Sequence, residues 1–330
     1  MLFVNSIKQI VKSKVQLFRK ELDISSNGAC RVLLYHRVCK YETDPQLLCV
    51  SPENFDAQIK YLVENFNVLT VEQFSRYYDN TEKIPTNSIL LTFDDGYADN
   101  FEVALPILEK YSVQALFYIC TGNINSDREF WWDEIERHLL LSPEFPEYFE
   151  LKVNGKIFSC SNDINERVKV YESLLPVLRS MNVEQRTKAI INLATLTGNC
   201  HPRQSHRSMN WQELKLMNKS GSAIIGGHTV HHPSLAELSI EEQESEILYS
   251  RQELREKLGV EIQYFSYPFG TKQDYSKYTI EICKKAGFKL VASNFPYIAN
   301  RKSNRYSFPR FLVRDWDLNN FVKELNSFLK

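Results

Sequence analysis

Short apolar runs and longer amphipathic stretches alternate along most of the chain. The runs at 31–35, 88–93, 114–119, 222–226, 263–266 and 288–292 are too short for helices and read as buried strands. Between them, 53–65, 100–110, 212–219, 240–258 and 276–286 repeat apolar residues at helical spacing, and Gly259 supplies a stop for the fourth of these. Strands that alternate with helices predict a mostly parallel sheet, open or closed into a barrel.

The rhythm changes between 122 and 210. Residues 130–141 read as a helix, 149–159 as a hairpin around Asn154-Gly155, and two more helices fall near 166–181 and 183–195. The expectation is an α/β body formed by 25–122 and 211–330, interrupted by an inserted α+β segment at 123–210. A separate N-terminal helix is expected over 1–24. There Phe3, Ile7, Ile10, Val11, Val15, Phe18 and Leu22 make an apolar stripe, with Lys8, Lys12, Lys14, Arg19 and Lys20 around it. Such a helix packs on the body of a domain or lies in a membrane surface, the first being commoner.

Composition narrows the function. Forty Lys and Arg against 41 Asp and Glu give a net charge of −1, so no basic surplus is available for nucleic acid. A hydrophobic content of 43% excludes a disordered chain. The seven cysteines form no Cys-x-x-Cys pair and read as free thiols of a reducing compartment. No apolar run is long enough to span a bilayer, and lysines break what a signal peptide would need. A cytoplasmic protein is expected, with peripheral contact at the inner membrane face through residues 2–22 as its one route to a membrane.

Polar residues gather at the ends of the strands. His36 follows the first, Asp94-Asp95-Gly96 the second, His228 the fourth and Tyr267-Pro268-Phe269-Gly270 the fifth. In a parallel α/β fold those ends share one rim, so the four groups predict one site. Two adjacent carboxylates repel and need a cation or donors beside them. In His228-Thr229-Val230-His231-His232 a spacing of four puts two imidazoles on one face of a helical turn, with His231 an exposed neighbour. Two histidines and one carboxylate, with a position left for water, suit a catalytic divalent ion, zinc by its ligand set. The second carboxylate is then free to take a proton.

Taken in order, TFDDGY (92–97), HTVHHPSL (228–235) and FSYPFG (265–270) strongly resemble the motifs of the polysaccharide deacetylase family, the carbohydrate esterases with a NodB-like domain. RVLLYHRV (31–38) and SPENFDAQIKYL (51–62) are similar to the opening of its longer bacterial members. The resemblance implies a distorted, incomplete (β/α) barrel. It also implies metal-dependent removal of N- or O-acetyl groups from sugars of a surface glycan or its precursor. It assigns Asp94 as general base, Asp95, His228 and His232 as metal ligands, and the Tyr97 N–H as oxyanion donor. His36 resembles a residue that lines the site in exopolysaccharide-modifying relatives.

Two departures from the family pattern bear on mechanism. Ser266 stands where many relatives carry an arginine that orients the base, and Arg310 is the candidate replacement. No late Leu-His pair is present to supply a general acid; the role stays open between His36, the nearest candidate by motif, and departure stabilised by the metal alone. These departures keep a second class open: a carbohydrate-binding protein on a degenerate deacetylase domain. A third reading is a deformylase or deacetylase of a lipid-linked or nucleotide sugar. Trp131, Trp132, Trp211, Tyr267 and Phe269 are candidates to stack on sugar faces.

Overall fold

The computed structural model describes residues 28–41, 43–79, 83–198 and 201–328, so the amphipathic stretch at 2–22 lies outside the described residues. The strands are β1 (Cys30–Tyr35), β2 (Arg37–Val38), β3 (Cys49–Val50), β4 (Asn67–Val68), β5 (Ser88–Phe93) and β6 (Ala115–Ile119). They continue as β7 (Tyr148–Val153), β8 (Lys156–Ser161), β9 (Ala223–Gly227), β10 (Tyr264–Ser266), β11 (Leu290–Ala292) and β12 (Phe311–Leu312). Eight of them make one sheet, ordered β11-β10-β9-β6-β5-β1-β12 with β4 also beside β5, and every pair in it is parallel.

The sheet curls until its ends approach. Phe308 bridges Ala292 of β11, and three residues later Phe311 pairs with Leu33 of β1. Closure by a single bridge leaves the barrel distorted and incomplete, as expected. Both faces of the strands are covered, which is why they read as continuous apolar runs. Leu33, Tyr35, Leu91, Phe93 and Phe117 face the surrounding helices. Val32, Leu90, Leu116, Tyr118, Tyr264 and Phe308 fill the inside, closed below by Phe74 and Tyr77. Gly226 is required there: a Cβ would stand 2.7 Å from the Tyr118 ring.

The helices that follow the strands run close to the sequence expectation, with Ile240–Leu258 capped by left-handed Gly259. One differs. The stretch expected as a helix from residue 100 begins as a π-helical turn, Asn100–Ala104, before turning α-helical at Leu105–Lys110. That wider turn lets Asn100 reach back and donate to the His36 carbonyl at 2.8 Å.

The segment 123–210 carries helix Trp131–Leu140, the antiparallel β7–β8 hairpin, and helices Ile164–Arg179 and Val183–Thr197. Most of its buried apolar residues form a hydrophobic cluster of their own, which also takes in Tyr97 and Cys120 from the barrel rim, while Ile124 and Met209 join the main core. Among the described residues no helix is long and apolar enough to cross a membrane.

Candidate active site

The strands β1, β5, β9, β10 and β12 deliver their C-terminal ends to one rim, and the predicted site residues meet there. His36, Asp94, Asp95, His228 and His232 line a cavity of about 280 Å³, together with Trp131, Trp132 and Phe269. Trp211 and Tyr267 are not among its walls. Tyr267 instead stacks on Tyr275 and donates its hydroxyl to the Tyr306 carbonyl.

Two adjacent carboxylates reach different surroundings because the backbone turns sharply between them. Asp94 continues the inward face of β5, two residues after Thr92. Asp95 and Gly96 both have positive φ, 75° and 91°, a costly conformation for aspartate that swings its side chain out of strand alternation. Asp94 is gripped by Arg310 through Nη1–Oδ1 and Nη2–Oδ2, both 2.7 Å. The Ser266 hydroxyl accepts from Arg310 Nη2 at 2.7 Å and donates to Asp94 at 3.3 Å. Ser266 therefore touches both the carboxylate and the guanidinium, and Arg310, 1% exposed, reaches Asp94 from the loop just before β12. Burial pushes the Asp94 carboxyl up, but Arg310 and His228 outweigh it and hold the group below its usual range.

Asp95 has no such partner. Its Oδ1 is buried without a hydrogen bond, 3.5 Å from His228 Nε2 and 3.4 Å from His232 Nε2. His228 fixes its tautomer by donating Nδ1–H to the Ser266 carbonyl at 2.8 Å, which turns an Nε2 lone pair toward Asp95. Around a tetrahedral ion with bonds near 2.0–2.1 Å, ligand atoms stand about 3.4 Å apart. The three atoms therefore have the spacing and the lone pairs to share a small divalent cation, and the buried oxygen lacks any other compensation.

The expected helical turn between these histidines is not formed. Thr229 and His232 have positive φ, 65° and 52°. The Val230 and His231 N–H groups donate to the Glu246 carboxylate, both at 2.9 Å, instead of entering a helix. Pro233 also disfavours helix at the residue before it. His231 is half exposed and bonds Glu246 through Nδ1 at 2.7 Å. The His232 ring is held edge-on by Trp132 and Phe269, at centroid distances of 4.6 and 4.7 Å.

His36 lies in the cavity wall with a buried Nδ1 that has no partner. Burial lowers its pKa, against the pull of Asp95 and Asp94, so the ring is neutral near pH 7. At Tyr97 the bridge to Ser208 is made by Ala98 N–H to Arg207 O and Met209 N–H to Gly96 O, which leaves the Tyr97 N–H out of it. The Tyr97 side chain points away from the cavity, donating to Asp133 at 2.7 Å and accepting from Trp132 Nε1 at 2.8 Å.

Sequence reading missed three arginines. Arg179 and Arg314 line the cavity, and Arg186 donates to the carbonyls of His231 and His232 at 2.7 and 3.4 Å. Asp133, Glu136 and His206 form a second group with metal-ligand spacing. Arg203 bonds Glu136 at 3.0 Å, and burial with Arg37 and Arg203 holds His206 at a pKa of about 2, so guanidinium charge already balances this group.

The polysaccharide deacetylase family model matches residues 81–139 and 156–291. The chain belongs to that family. A Staphylococcus aureus poly-β-1,6-N-acetyl-D-glucosamine N-deacetylase is 24% identical over 322 residues, covering 94% of this chain and 87% of that protein. Among solved structures, the Streptococcus pyogenes deacetylase PplD in complex with acetate aligns with a TM-score of 0.59 at 21% identity, over 90% of this chain and 98% of that one. IcaB from Ammonifex degensii aligns with a TM-score of 0.59 at 19% identity, over 92% and 97%. These likenesses establish the barrel of this polysaccharide deacetylase chain.

Proposed function

We propose that the protein is a metal-dependent hydrolase that removes the acetyl group from an N-acetylated sugar of a surface glycan. The observation that carries this reading is the division of labour between adjacent carboxylates: Asp94 faces a guanidinium, while Asp95 faces two imidazole nitrogens. A divalent cation held by Asp95, His228 and His232, zinc by that ligand set, would polarise the acetyl carbonyl and acidify a water.

The protein's own groups account for the rest. Arg310 fixes the orientation of Asp94 and keeps it ionised, ready to take a proton from attacking water. The Tyr97 N–H, left out of the bridge to Ser208, is the oxyanion donor in this reading, and removal of such a donor typically costs about 3 kcal/mol of barrier. The departing nitrogen needs one proton, and Asp94 has just gained one. His36, neutral and in the same wall, is the group that relays it in this reading, so no group has to begin the cycle protonated. Trp131, Trp132 and Arg179 reach the cavity from segment 123–210, which supports the reading that this insertion walls the groove and tunes substrate choice.

The binding-protein alternative drew on the absent arginine and the absent late histidine, and the Arg310–Asp94 fork speaks against the first of these. The direct test incubates zinc-reconstituted full-length protein with a β-1,6-linked N-acetylglucosamine oligomer and measures acetate and free amine. Equal release of both, stopped by a chelator and restored by zinc, is expected. Failure to release acetate from this or any other acetylated sugar by protein that holds its metal overturns the assignment.

A further inference from the structure

The charges around the cavity are not all paired. Arg310 neutralises Asp94. Arg179 pairs with Asp274, its guanidinium lying 4.0 Å from the centre of the Phe269 ring. Arg314 has no carboxylate within ion-pair distance among the described residues. Its Nη1 donates to the carbonyls of Gln46 and Leu47, while its Nε and Nη2 find no hydrogen-bond acceptor among the described residues. Asp44, whose field Arg314 feels, is committed to the N–H groups of Leu48 and Cys49 at 2.9 and 2.8 Å.

Arg314 follows β12, lines the same cavity as Asp94 and His36, and is close enough to His36 for its charge to lower that ring's pKa. The free Nε–Nη2 edge is one of the two edges through which arginine grips a phosphate or carboxylate with paired hydrogen bonds. A divalent cation on Asp95 would more than cancel that carboxylate, so the metal-loaded cavity would carry positive excess. A neutral homopolymer offers this edge only uncharged hydroxyl and carbonyl acceptors. The amine left after deacetylation is repelled by it.

We propose that Arg314 is a specificity-determining residue that binds an anionic group, a phosphate or a carboxylate, borne by the acetylated sugar or its immediate neighbour. This deepens the deacetylase reading and rests on it for the substrate, but not for the anion site. A simpler role, in which Arg314 only ties the loop at residues 46–47, predicts no dependence on substrate charge.

The test compares four probes on zinc-reconstituted full-length protein: methyl N-acetylglucosaminide, N-acetylglucosamine 1-phosphate, UDP-N-acetylglucosamine and a glucuronate-containing N-acetylglucosamine disaccharide. The ratio of kcat/KM for an anionic probe over the neutral one is expected to be about tenfold or more, the worth of a charge-assisted hydrogen-bond pair. It should fall toward unity in Arg314→Gln and in raised salt, with Arg314→Lys between. Which anionic probe leads separates a phosphoryl source from a uronate. Calorimetric binding of the same probes gives a readout independent of turnover. If no probe loses acetate yet the anionic ones bind in an Arg314-dependent way, the deacetylase reading fails and the anion site stands. Equal ratios in wild type and Arg314→Gln, with unchanged binding, overturn the proposal. Should Arg314→Gln not fold, the Arg314→Lys ratio is decisive: a preference and affinity identical to wild type would overturn it as well.

Discussion

Arg310 and Asp94 lie 216 residues apart and meet through two parallel hydrogen bonds of 2.7 Å inside the barrel. The pair is buried on both sides, so its loss has two separable consequences. Arg310→Met leaves an uncompensated buried carboxylate, and the cost in stability is expected at about 3–5 kcal/mol. Asp94 would then also lose its orientation and its low pKa. Acetate release should fall by at least about tenfold while zinc content is retained, because Arg310 touches none of the three convergent ligand atoms. Arg310→Lys restores charge but not the fork, and is expected to recover stability better than turnover. Denaturant melts and zinc analysis on the same preparations check this; loss of zinc in parallel with activity would refute it.

Asp94 and Asp95 should both lose turnover on the same change but differ in metal retention. Asp95→Asn removes one of the three proposed ligands and is expected to lower zinc affinity and turnover together. Asp94→Asn keeps shape and metal but cannot accept a proton, and turnover should fall by roughly 10²–10⁴-fold. Metal content and acetate release measured side by side decide the matter. An Asp94→Asn protein of full activity would end the role of Asp94 as base.

The site was legible where side chains hang directly from strand ends. Asp94, Asp95 and His228 follow apolar runs whose two faces are both covered, so the polar residue after each run marks the rim. Spacing alone misled at His228 and His232. Four residues suggested a helical turn, but the carboxylate of Glu246, from the helix Ile240–Leu258, takes the N–H groups such a turn would use. Arg179, Arg186 and Arg314 were not legible at all. Each reaches the site along a flexible side chain from an element whose position depends on tertiary packing, and nothing in its local sequence distinguishes it from a surface arginine. Arg310 became a candidate only because a family arginine was missing; its fork with Asp94 required the barrel to close. The short helix Val71–Tyr78, which plugs the inside with Phe74 and Tyr77, is too brief for its periodicity to stand out.

Asp133 predicts a pH dependence of stability. Burial raises its pKa to about 7, against the opposing effects of Arg37 and the Tyr97 hydroxyl. The folded state then holds a proton that the unfolded chain releases near pH 4. Between those values the folded protein binds more protons than the unfolded one, so stability falls as pH rises, by up to about 1.4 kcal/mol per pH unit. The effect is complete above pH 7. Asp133→Asn should remove this decline, since asparagine can still accept from Tyr97. Urea melts from pH 4 to 8 on metal-free protein measure it, and parallel slopes in the two proteins would contradict the assignment.

Arg186 links segment 123–210 to the histidine loop and gives the last prediction. It is 3% exposed, donates to the carbonyls of His231 and His232, and has its guanidinium 4.8 Å from the centre of the Trp131 ring. Those carbonyls belong to a loop in which Thr229 and His232 are held at positive φ, a conformation that persists only while its surroundings enforce it. Arg186→Met keeps much of the volume and the contact with Trp131 but removes both donors. The loop should relax, His232 Nε2 should drift from Asp95, and zinc affinity should weaken by roughly tenfold, as when groups that orient metal ligands are lost. Lys188→Met on the same helix removes only an exposed pair with Glu184 and serves as the control. Competitive zinc titration against a chromophoric chelator reads the effect directly. If Arg186→Met binds zinc as wild type does, the rings of Trp132 and Phe269 hold His232 unaided, and the segment does not contribute to the metal site through Arg186.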